Sequence, residues 1–159
     1  MPTPTDAVHL TSRGEEDTER IGYAIGESLR GGERLGLRGE LGAGKTCLVR
    51  GVAAALGLPP ELVRSPSFPV ILPYEGGRVP LYHIDLFRQA AGAGDVEELR
   101  EYLYGDGVAA VEWYERLSDP LIDYLSISIT FVGSQERRVV VEPRGVGYDP
   151  ALAALRAIR

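Results

Sequence analysis

The 159-residue chain carries 17 basic and 23 acidic side chains, a formal net charge of −6, and is 44% hydrophobic. Length and apolar content suit one domain over residues 1–159 with a single core, and leave no room for a second catalytic domain. The acidic balance excludes a protein whose own field gathers nucleic acid or an anionic membrane, and no apolar run reaches the roughly 18 residues that a membrane-spanning helix needs.

Cys47 is the only cysteine, so no intrachain disulfide can form, and His9 and His83 are too few for an ordinary zinc site. Cys47 reads as a small helix-facing residue with no histidine near it in sequence. Residues 1–6 lack a basic stretch followed by an apolar one, and the expected location is cytoplasmic. Residues 1–6 and 144–159 are expected to be loose or peripheral.

Along the chain, Ser12 and Glu15 have the S-x-x-E spacing of a capping box. Ile21, Ile25 and Leu29 then recur every fourth position up to Gly31-Gly32, which predicts a first helix. Residues 34–38 read as a short strand leading into 39–46, Gly-Glu-Leu-Gly-Ala-Gly-Lys-Thr. Leu48, Val52 and Leu56 follow as the buried stripe of a second helix, stopped by Gly57 with Pro59-Pro60 beyond. Residues 68–74 and 79–85 are apolar strand-like runs, joined through Gly76-Gly77 in a hairpin.

Residues 90–94 read as a mobile loop, and Asp95 with Glu98 caps a third helix bearing Val96, Leu99 and Leu103. After a turn at 105–107, residues 108–111 are continuously small and apolar, the mark of a strand covered on both faces, and they deliver Glu112 at its carboxyl end. Leu125, Ile127, Ile129 and Phe131 alternate with Ser126, Ser128 and Thr130. That strand should have one wet face and run antiparallel, with 137–141 as its partner and 151–158 as a closing helix.

Residues 39–46 have the form G-x-x-x-x-G-K-[ST], the Walker A phosphate loop, and strand, glycine loop, helix is the context that motif requires. Lys45 is the only lysine; the other 16 basic residues are arginine. A compact ammonium on a flexible stem suits the loop, where a planar guanidinium fits poorly. Backbone N–H groups of Gly42, Ala43, Gly44, Lys45 and Thr46 would wrap a phosphate at a helix start, with Lys45 on the β- and γ-phosphates and Thr46 on Mg²⁺. Asp85 and Glu112 each end an apolar strand at the edge where ligands gather in open α/β sheets, and they are the candidate acids for holding metal and orienting water. Asp85 takes the Walker B position. Trp113 packs by default but adjoins Glu112. The chain has no asparagine, so no N-K-x-D guanine-reading motif exists; adenine, or indifference to the base, is expected.

Four ordered segments, 39–46, Ser65-Pro66-Ser67-Phe68, 82–88 (Tyr-His-Ile-Asp-Leu-Phe-Arg) and Val111-Glu112-Trp113, together resemble the bacterial TsaE (YjeE) family, the small ATPases of tRNA threonylcarbamoyladenosine biosynthesis. The resemblance spans roughly residues 8–142. It implies a P-loop NTPase-like, three-layer α/β fold whose sheet is mixed and mainly parallel with antiparallel edge strands. It also implies ATP hydrolysis with Mg²⁺, in concert with TsaD and TsaB, with tRNA held only through those partners. By the same resemblance, Lys45, Asp85, Glu112 and Ser67 are catalytic, and Thr46, Glu112 and Asp85 hold the metal. Gly42, Ala43, Gly44, Lys45, Thr46, Cys47, Trp113 and Arg138 lie at the nucleotide. The chain departs from the family at Ser67, usually threonine, at Cys47, and at Tyr114, where proline is frequent. A small-molecule kinase using Asp85 as base, or a nucleotide-gated binding module without useful turnover, are the other readings of the loop.

Overall fold

The computed structural model describes residues 6–66, 71–89, 92 and 95–158. Seven strands form one sheet in the order β1-β7-β6-β2-β5-β4-β3. They are β1 (Val8–Ser12), β2 (Arg34–Arg38), β3 (Ile71–Tyr74), β4 (Leu81–Asp85), β5 (Val108–Glu112), β6 (Tyr124–Phe131) and β7 (Arg137–Arg144). Strands β6, β2, β5 and β4 run parallel, whereas β7, β1 and β3 add antiparallel at the two sides. Four helices, α1 (Glu15–Glu27), α2 (Lys45–Ala55), α3 (Val96–Leu103) and α4 (Asp149–Arg156), complete the α/β architecture.

The sheet separates two apolar clusters. Helices α1, α2 and α4 cover one face through Ile25, Leu48, Val52, Leu56 and Leu155, packed on Leu37, Ile127 and Val139. On the other face Leu99 and Leu103 of α3 meet Ile84, Ala109 and Val111, with Leu117 and Leu121. Every residue of β5 is buried, as its unbroken apolar sequence predicts for a central strand. Full burial of side chains such as Leu48 or Leu56 contributes about 1.5–3 kcal/mol each.

Close approach of α1 and α2 depends on glycine. A Cβ at Gly22 would lie 2.0 Å from the Leu48 carbonyl oxygen, and one at Gly51 equally close to that of Glu19. Gly22→Ala must therefore push the two helices apart. Thermal unfolding should show a midpoint lowered by roughly 3–10 °C, the size expected of overpacking in a domain of this length; an unchanged midpoint would contradict this contact.

Three expectations change. The capping box is not formed: Ser12 closes β1 and shares a 2.6 Å hydrogen bond with Thr18, so α1 starts after Gly14 with no side-chain cap. Strand β6 is antiparallel only to β7 and runs parallel to β2. Its alternation reports uneven cover on one face rather than direction, because Ser126 is buried and hydrogen-bonds Tyr114 at 3.2 Å. Finally, β7 continues to Arg144, and Tyr148 beyond it is buried, its hydroxyl donating to the Asp123 carbonyl at 2.9 Å, so 144–150 is tied to the sheet. Asp95 caps α3 as expected, accepting from Glu97 N at 2.9 Å. Residues 68–70 of the anticipated third strand, and most of the 90–94 loop, lie outside the described residues.

Candidate nucleotide-binding site

Strand β2 ends at Arg38 and the chain enters the glycine loop, which closes on the start of α2. Gly42 and Gly44 adopt positive φ of 81° and 117°, conformations that L side chains avoid, and Gly44 occupies the N-cap of α2. The loop's tight path thus depends on glycine at these two places. The first N–H groups of a helix lack partners within it, and together with the helix dipole they favour an anion at such an end.

Lys45 is only 4% exposed. Its Nζ donates back to the carbonyls of Gly39 and Glu40 at 2.5 and 3.0 Å and lies 4.5 Å from the centre of the Trp113 ring. Burial lowers its pKa from the ordinary lysine value, against the opposing pull of Glu112, Asp85 and Glu115. The ammonium is held inside the loop, with carbonyls that a phosphate can replace.

Asp85 and Glu112 are register partners on adjacent parallel strands, so both carboxylates project from the same face at the carboxyl edge of the sheet. Thr46 Oγ1 donates to Glu112 Oε2 at 2.8 Å. Asp85 accepts from Ser65 Oγ at 2.5 Å through one oxygen and from the Phe87 N–H at 2.9 Å through the other, which fixes its plane. Lys45, Thr46, Asp85, Glu112, Ser65 and Trp113 line one cavity of about 280 Å³. On the other flank of the loop, Gly14, Glu15, Thr18, Gln135 and Arg137 line a second of about 270 Å³. Glu15, Gly42, Gly44 and Cys47 border both.

Trp113 adopts φ of 60°, a left-handed conformation unusual for so large a residue and costing about 1–3 kcal/mol. It ends β5 directly after Glu112 while its N–H donates to Leu37 O at 3.0 Å. Its ring is packed by Phe87 at 5.3 Å and by the Arg116 guanidinium at 4.7 Å, and Arg116 also donates to the carbonyls of Phe87 and Gln89. Tyr114 anchors the turn with its ring against Gly36 and its hydroxyl at Ser126.

Most anticipated site residues converge here, with two exceptions. Arg138 is exposed; its neighbour Arg137 reaches the loop, with Nε 3.3 Å from the Ala43 carbonyl and the guanidinium stacked 4.1 Å from the centre of the Phe131 ring. Strand alternation explains the difference between the two: Arg137 shares its parity with buried Val139 and Val141, whereas Arg138 points the opposite way. Ser67 lies outside the described residues. Cys47 donates to the Glu15 carbonyl at 3.3 Å, and burial pushes its thiol up to about 11, so it is a neutral wall residue rather than a nucleophile. Sequence reading also passed over His83, which is fully buried with Nε2 2.5 Å from Glu112 Oε2. Its position two residues before Asp85 on the same strand, hence on the same face, was the available signal.

Oxygen donors from Thr46 and Glu112, with Asp85 beside them, fit a hard cation such as Mg²⁺, which takes one or two protein carboxylates and completes its shell with phosphate and water. Among the described residues no group of three or more His, Cys, Asp or Glu is placed to hold a metal ion by itself.

Comparison with known proteins decides the family. Residues 12–140 match the family described as threonylcarbamoyl adenosine biosynthesis protein TsaE. The chain belongs to the TsaE family. A TsaE from Treponema pallidum (strain Nichols) is 38% identical over 137 residues, covering 84% of this chain and 99% of that one. One from Bacillus subtilis (strain 168) is 36% identical over 135 residues, covering 84% of each. The crystal structure of Bacillus subtilis YdiB superposes with a TM-score of 0.80 at 30% identity, covering 98% of this chain and 96% of that one.

Proposed function

We propose that this TsaE-family chain is a Mg²⁺-dependent ATPase that serves formation of threonylcarbamoyl adenosine on tRNA, acting in the cytoplasm with TsaD and TsaB, which hold the tRNA. The observation that carries the reading is the Thr46–Glu112 hydrogen bond of 2.8 Å beside Asp85, at the mouth of a loop whose lysine is buried. A hydroxyl, two carboxylates and a phosphate-binding helix start are what hydrolysis of a nucleoside triphosphate requires. The net charge of −6 agrees with tRNA being carried by partners. That no helix among the described residues is long and apolar enough to cross a membrane is compatible with the location.

In this reading the β-phosphate replaces carbonyl contacts at the Lys45 ammonium, and the loop N–H groups cradle it. Mg²⁺, when bound, neutralises charge developing on the phosphate oxygens. Thr46 and Glu112 would hold it, while Asp85, fixed by Ser65 and Phe87, orients water for in-line attack on the γ-phosphorus. The base and sugar extend into the cavity beside Glu15, Gln135 and Arg137.

The test is phosphate release by the purified protein alone and with TsaD and TsaB. Hydrolysis should require Mg²⁺, cease on adding EDTA, be slow alone and rise with the partners. Labelled phosphate appearing on a small-molecule acceptor would favour a kinase instead, and ATP binding without turnover, even with partners present, would reduce the protein to a nucleotide-gated module.

A further inference from the structure

We propose that His83 is a positioning residue for Glu112, a buried donor that holds one carboxylate oxygen so that the other is presented to the metal. The inference rests on the reading of Glu112 as a magnesium ligand. His83 is 0% exposed on β4, with Ala110 as its register partner on β5. The small alanine leaves room for the imidazole to reach diagonally to Glu112, two residues further along β5. Its Nε2 lies 2.5 Å from Glu112 Oε2, the same oxygen that accepts from Thr46 Oγ1 at 2.8 Å.

Among the described residues both side-chain hydrogen bonds to this carboxylate therefore fall on Oε2, and Glu112 itself lines the cleft, so Oε1 is the oxygen left without a side-chain donor. A carboxylate only accepts, so Nε2 must carry the hydrogen. The other ring nitrogen, Nδ1, is then buried with no hydrogen-bond partner among the described residues. A buried nitrogen without a partner is unfavourable, and an apolar side chain of similar size would avoid it. What the histidine supplies in return is one N–H aimed at Glu112. Thr46 donates to the same oxygen through the hydroxyl whose lone pair is offered to the cation, whereas among the described residues the His83 ring hydrogen-bonds Glu112 alone. Hydrogen bonds of this kind to a liganding carboxylate orient it, and their removal weakens metal binding by about 10- to 100-fold.

The experiment measures, by calorimetry, binding of a non-hydrolysable ATP analogue in Mg²⁺ and in EDTA for the unmodified protein, His83→Gln and His83→Asn. Glutamine places an amide nitrogen where Nε2 stands; asparagine ends near Nδ1. Binding in EDTA should be equal in all three proteins. The gain in affinity that Mg²⁺ confers should fall by about 10- to 100-fold in H83N and largely survive in H83Q. The proposal is overturned if H83N keeps the gain, if H83Q loses as much as H83N, or if H83N binds equally worse with and without metal, which would report a structural role only. Nitrogen NMR of the unmodified protein supplies a check independent of any variant: hydrogen on Nε2 is expected, and hydrogen on Nδ1 alone would sink the idea. An unmodified protein whose affinity is indifferent to Mg²⁺ would fail earlier, at the metal reading itself, and so is separable from failure of His83.

Discussion

Lys45→Ala lowers kcat/KM for ATP by about 10²–10³, the range seen when one preorganised electrostatic group is removed from a transition-state site. The expectation follows from where the ammonium is held. It is almost completely buried, satisfied by two loop carbonyls and stacked on Trp113, so it is already organised to meet the β- and γ-phosphates. Lys45→Arg should not restore activity, because the wider planar guanidinium would displace Trp113 or the loop from a space fitted to a point charge. Phosphate-release kinetics decide the matter: hydrolysis no slower in K45A than in the unmodified protein would show that the nucleotide binds elsewhere.

Glu112→Ala should be equally severe, for two separable reasons. It removes a carboxylate from the metal position, and it leaves the hydroxyl of Thr46 and the N–H of fully buried His83 without their acceptor. Each stranded donor costs about 1–3 kcal/mol, so E112A should also unfold at lower temperature. Glu112→Gln separates the two effects, since it keeps the shape and an acceptor oxygen but not the charge. Its thermal midpoint should stay nearer that of the unmodified protein while Mg²⁺-dependent hydrolysis falls by at least about 100-fold. In cells carrying either variant as the only copy, mass spectrometry of tRNA nucleosides should find the threonylcarbamoyl adenosine depleted. Undiminished levels would remove the proposed tRNA role while leaving the nucleotide site intact.

Residues whose chemistry is local were legible before any fold was known. The glycine loop at 39–46 is one continuous segment whose glycines, lysine and threonine are defined by neighbours in sequence, and the structure places it between β2 and α2 as that pattern predicts. The apolar run before Glu112 identified a central strand, because only a strand covered on both faces avoids polar alternation. Parity along a strand is equally readable from sequence. It would have placed His83 on the face of Asp85, and Arg137 rather than Arg138 on the face of the loop.

Other features depend on contacts distant in sequence. The Ser12 hydroxyl could have capped a helix, but Thr18 and the Gly14 carbonyl took it once β1 had paired with β7. Tyr114 could have loosened its turn; instead its ring found the space over Gly36, which only the neighbouring strand provides.

The sequence by itself determined that a glycine loop of the Walker A form joins a strand to a helix, that two acids end apolar strands, and that the only lysine lies in the loop, because each follows from residue type and short-range spacing. Only the tertiary structure decided that Asp85 and Glu112 stand side by side, that Thr46 and His83 share one oxygen of Glu112, and that Trp113 covers Lys45. Those facts depend on which strands become neighbours and in what register, and that is settled by long-range packing of the whole sheet rather than by any local preference.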